Sequence, residues 1–179
     1  MRSPVAHALV ALSLAACDDG GKAAEQRATD LAAKLVPIVA EDAVEVRRGL
    51  PGGAAKLATL IDADPGANLA GLQRAIAGAR ASVHDLAVAK STFFSFTDPS
   101  GTVLRSEADP DLLAHRSVLQ AFPALKKALD PASGPVEVFG EMAEMRGVRT
   151  GPDEAWVVAH PVKDAKGALA GLFVTPESF

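Results

Sequence analysis

Hydrophobic residues fall along the chain in three textures. Ala8 to Ala16 is an uncharged apolar run, ALVALSLAA. It is shorter than the roughly 20 residues that span a bilayer. From Ala24 to Arg48 the pattern is helical. Ala24, Ala28, Leu31, Leu35, Ile38 and Val39 share one stripe, and Asp30, Lys34, Glu41, Glu45 and Arg48 share the other. Pro37 predicts a kink, and Gly49-Leu50-Pro51-Gly52-Gly53 predicts the end of this helix. A second short helix is expected over Ala54–Asp62. After the break at Asp62–Gly66, Asp64 or Asn68 is placed to cap a third helix. Its apolar positions Leu69, Leu72, Ile76, Ala79, Val83 and Leu86 alternate three and four apart, the spacing of a helix–helix seam. Gly71, Ala75, Gly78 and Ala79 let another helix approach closely. That partner is either the first helix or a second subunit, which would make a homodimer through the Leu69–Leu86 helix.

At Ser91 the period changes from helical to extended. Thr92–Thr97 is β-rich, Asp98-Pro99-Ser100-Gly101 is a tight turn, and Thr102–Ser106 is a second strand, so a hairpin is predicted. Asp109–Asp111 is expected to start a helical stretch with Leu112, Leu113, Val118, Leu119, Phe122, Leu125 and Leu129 inward and a break at Pro123. Three more strands follow: Pro135–Gly140, Glu154–Val162 and Ala168–Thr175. Lys163–Gly167 forms the turn between the last two. Along Glu154–Val162, Trp156, Val158, His160 and Val162 point one way, and Val157 and Ala159 the other. Both faces are largely apolar, so helices should cover both sides of the sheet.

Composition changes this picture in two ways. Charged residues balance at 18 Lys+Arg against 22 Asp+Glu, with no basic stripe, which argues against nucleic acid as a partner. There is one cysteine, Cys17, so an intrachain disulfide is impossible. Arg2, the apolar run and Leu14-Ala15-Ala16-Cys17, followed at once by Asp18-Asp19, resemble the lipobox of bacterial lipoproteins. The resemblance implies that residues 1–16 are a signal peptide, that Cys17 is lipidated and that residues 17–23 tether the domain to a membrane. It implies an extracytoplasmic address on the periplasmic side. Asp18 resembles an inner-membrane retention signal.

The order of elements resembles the single-Cache, PAS-like sensor domains of bacterial receptors. The resemblance is carried by FFSFTDPSGTVLRS (residues 93–106), by Val158–Val162 ending in Pro161-Val162, and by DAKGALAGLFV (164–174) with its small residue at Gly171. It implies an α+β fold: long N-terminal helices packed behind a five-stranded antiparallel sheet, and short helices covering a ligand pocket in front. Residues 24–66 would be an N-terminal helical region and 67–179 the Cache/PAS-like domain with its long helix. Family members that bind amino acids have Tyr-rich pockets, and this chain has no Tyr. Receptors of the family also carry flanking transmembrane helices and an output domain. The expectation here is a module that works through a separate transmembrane partner.

No phosphate-binding, dinucleotide-binding, zinc-protease or serine-hydrolase signature occurs, so neither an enzyme nor a bound cofactor or metal is expected. Arg105, Arg116, Trp156 and His160 are the candidate ligand-binding residues. In the expected topology they border one cavity between the sheet and residues 110–130. There the two arginines would hold a small anion, with Trp156 as a wall and His160 as a pH-sensitive donor. The function expected is a membrane-anchored sensory or small-ligand-binding lipoprotein. The alternative is an unliganded structural scaffold.

Overall fold

The computed structural model describes residues 5–64, 66–89, 93–141 and 154–178, with residues 5–20, 35, 38, 39, 154, 177 and 178 described as backbone only. The chain forms two compact units, one ending at Glu41 and one beginning at Asp42. Helix α1 runs from Val5 to Ala63. In the first unit every described side chain from Gly21 to Glu41 is exposed, so Ala24, Ala28 and Leu31 of the predicted apolar stripe are not buried. No helix among the described residues is long and apolar enough to cross a membrane.

In the second unit α1 becomes amphipathic. Val46, Leu50, Ala54 and Leu57, spaced four, four and three apart, are buried. The helix does not end at Gly49–Gly53, which corrects the sequence expectation. These glycines serve packing. A Cβ at Gly53 would collide with Leu86 Cδ1 and lie 2.9 Å from Phe173 Cε1, so glycine lets α1 sit close against the sheet. The Ala54–Asp62 helix is thus the last part of α1. Helix α2 (Leu69–Ala81) is capped by Asn68, whose side chain accepts from Gly71 N at 2.9 Å. The predicted seam breaks at Ser82–Val83 and resumes in α3 (His84–Val88). Its residues Ile76, Ala79 and Leu86 are fully buried in one core with the inward face of α1, so this part of the seam finds its partner within the chain. Leu69, by contrast, is exposed.

Strands β1 (Ser95–Thr97) and β2 (Val103–Ser106) form the predicted hairpin, pairing Ser95 with Ser106 and Phe96 with Arg105. Asp98 builds the turn: its Oδ1 accepts from Ser100 N at 2.8 Å and Thr102 N at 3.0 Å. The stretch after β2 departs from expectation. Asp111 starts no helix. Its carboxylate accepts from Ser106 N and Oγ, both at 2.8 Å, and from Leu113 N, closing an irregular loop over 107–117. Regular structure is confined to α4 (Val118–Ala121) and a 3-10 segment over Pro123–Leu129. Strands β3 (Val136–Glu141), β4 (Glu154–Lys163) and β5 (Leu169–Ser178) follow.

The sheet is fully antiparallel in the order β2-β1-β5-β4-β3. β1 meets β5 where Gly171 lies under Thr97. A Cβ there would clash with the Thr97 carbonyl oxygen and come within 2.8 Å of Phe96 Cε2. Side-chain alternation divides the interior into two apolar cores. The front core joins Val103, Ala155, Val157, Ala159, Leu172 and Val174 to Leu113, Val118, Leu119, Phe122 and Leu125 of the covering segment. The back core joins Phe94, Phe96, Trp156, Val158, Val162 and Phe173 to α1, α2 and α3. This is the α+β architecture that the resemblance implied: one sheet, both faces covered.

Candidate functional site

The four candidate residues do not converge. Strand parity sends Trp156 and His160 toward α1, the back of the sheet, while Ala155, Val157 and Ala159 take the front. The single cavity bordered by Arg105, Arg116, Trp156 and His160 is therefore corrected. The front compartment beneath residues 113–129 is packed with apolar side chains.

Arg105 lies on the edge strand β2. Its Nη2 donates to Gln73 Oε1 on α2 at 2.7 Å, and its Nη1 lies 3.4 Å from Asp111 Oδ2. Its Nε is buried with no hydrogen-bond acceptor among the described residues. Next to it, Arg80 of α2 forms an ion pair with Glu107 at 2.5 Å and donates to the Leu86 and Ala89 carbonyls. Glu107 Oε1 in turn accepts from Phe94 N. These interlocked pairs stitch α2 and the end of α3 to the end of the hairpin. Their partners were hidden from the sequence because Gln73, Arg80 and Glu107 each meet something more than 20 positions away. Arg116 is exposed on the 107–117 loop, with Nε donating to Leu112 O at 3.2 Å.

On the back face, Trp156 is nearly buried. Its Nε1 donates to Glu137 Oε2 on β3 at 3.0 Å. Arg47 of α1 grips the same carboxylate through Nε at 2.5 Å and Nη2 at 2.7 Å, and its guanidinium lies 5.4 Å from the indole centroid. Arg47 holds the Glu137 carboxyl below its ordinary range against an opposing push from burial, with Trp156 adding to the lowering. A second bidentate pair, Arg48 with Asp85, ties α1 to α3.

Among the clefts formed by the described residues, two on the back face each enclose about 370 Å³. One lies between the end of α1, α2 and the hairpin, lined mainly by apolar residues such as Leu60, Leu72, Ala75, Phe96 and Leu104. The other lies between α1 and the β4–β5 turn, and His160 lines it with Ala54, Ala58, Asp62, Pro161 and Lys163. His160 is half-buried. Its Nδ1 is 2.8 Å from the Pro161 carbonyl, an oxygen that can only accept, so Nδ1 carries the proton and Nε2 is an acceptor in the neutral ring. Burial pushes the His160 pKa down, Lys163 pushes the same way, and the bond to Pro161 opposes them. Of the four candidates, His160 alone lines either cleft. No cluster of three or more His, Cys, Asp or Glu residues able to hold a metal ion occurs among the described residues. Cys17 lies within the backbone span of α1.

No family model and no curated protein matches the chain. Among solved structures, the sensor domain of the histidine kinase DctB from V. cholerae is similar, with a TM-score of 0.41 and 15% sequence identity over 80% of this chain. The match spans 57% of that sensor-domain chain.

Proposed function

We propose that the protein is an extracytoplasmic sensory or small-ligand-binding module, held at a bacterial membrane by lipid on Cys17 and acting through a separate transmembrane partner. The observation that carries the reading is the sheet order β2-β1-β5-β4-β3 with helices on its back and the 107–129 segment across its front. It agrees with the Cache/PAS resemblance of residues 93–106 and 158–174. The lipobox-like LAAC ending supports the anchor and the periplasmic address. A lipid chain occupies one leaflet, so it cannot itself carry a signal across, and the reading needs a spanning partner. The role is binding rather than catalysis.

One observation favours the scaffold alternative: among the described residues, the front compartment is filled by apolar side chains. Native mass spectrometry of the full chain, purified in detergent, separates the two. A retained small molecule supports sensing. A bare chain that stays bare across a metabolite panel, and that self-associates, supports the scaffold.

A further inference from the structure

We propose that the cleft between α1 and the β4–β5 turn is a binding site for a small organic cation, a short alkylammonium or diamine. The inference rests on the ligand-binding reading above and places the site behind the sheet.

The cleft combines an apolar wall with carboxylate and imidazole acceptors. Ala54, Ala58 and Pro161 supply methyl and ring surface for a methylene chain. His160 Nε2 is a neutral acceptor, because Nδ1–H is committed to the Pro161 carbonyl. Asp62 stands in the last turn of α1, where backbone carbonyls carry the negative end of the helix dipole and a cation is the favoured occupant. That turn has no basic residue. Asp62 forms no ion pair among the described residues. Asp164 adds a second carboxylate, whose Oδ1 accepts from Lys166 N and Ala168 N. Against these two acids the lining sets one cation, Lys163, at the exposed rim. The local balance is negative, and the Asp62 carboxylate and the neutral His160 ring both belong to the lining that a bound ammonium would meet. The volume of about 370 Å³ is near the low end for small-molecule sites.

The test is calorimetric titration of the detergent-solubilised full chain with butylammonium and putrescine, beside neutral butanol and anionic butyrate. Saturable heat is expected for the ammonium ions alone. Asp62→Asn, at an exposed position, should weaken binding by about tenfold, a typical step for losing one charge-assisted hydrogen bond. Lys163→Gln should strengthen it by removing the competing charge. Ala58→Leu should abolish it by filling the cleft while keeping a good helix former. No saturable heat from either ammonium, or heat unchanged in both Asp62→Asn and Ala58→Leu, overturns the inference. Butyrate binding that survives Ala58→Leu, with the ammonium ions silent, also overturns it while leaving the ligand-binding reading intact.

Discussion

Trp156 is the only tryptophan, and it reports on its own neighbours. Its indole N–H and the Arg47 guanidinium share the Glu137 carboxylate. Arg47 depresses the folded pKa of Glu137, so the pair contributes stability above the ordinary carboxylate value of 4.5 and loses it as the pH falls through the folded value. Partial exposure keeps that contribution to about 1 kcal/mol or less. The expected outcome is an acid transition in Trp156 emission with a midpoint below 4.5, absent in Glu137→Gln. His160 works in the same direction by a different cause. Burial lowers its folded pKa, so its neutral form stabilises the fold above the ordinary value of 6.5, and that contribution fades as the pH drops below it. Melting temperature measured from pH 7.5 down to pH 5 should fall more steeply in the native protein than in His160→Gln, and parallel curves would contradict the assigned burial.

At the scale of elements, α1 packs against α2, α3 and the sheet in the back core. Ile76 is fully buried in the back core. Ile76→Asp should cost about 3–5 kcal/mol, the scale of an uncompensated buried charge, and thermal melting reads it directly. Gly53→Val should cost about 1–3 kcal/mol by overpacking, because its Cβ meets Leu86 and Phe173. An unchanged midpoint in either variant would mean that the face is not packed as described. The strands were legible because alternation and turn chemistry act locally: Asp98 and Asp164 each close their turn through neighbouring backbone N–H groups. Two elements were not. Gly49–Gly53 reads as a terminator unless Leu86 and Phe173 are known to press on it. Asp111 reads as a helix start, whereas Ser106 five residues earlier claims its carboxylate.

For the whole molecule, the sequence foretold a sheet covered on both faces but not which face holds a usable cavity. The parity that groups Trp156 with His160 was readable along β4. Which side faced α1 was not, because only the pairing of distant strands and helices fixes it. Arg105 was legible as a candidate anion-binding cation on β2, but its partners Gln73 and Asp111 belong to other segments. The anchor proposed at Cys17 is a separate matter of chemistry rather than packing, and the proposed function depends on it, because it would hold the module beside the proposed spanning partner. Intact-mass analysis of membrane-extracted protein, run beside Cys17→Ser, tests it most directly. The expected result is a mature chain that starts at Cys17 and carries two or more acyl chains, with Cys17→Ser unlipidated and either uncleaved or released from membranes. A membrane-bound chain that retains residues 1–16 with an unmodified Cys17, or a Cys17→Ser variant that behaves as the native protein does, would contradict it.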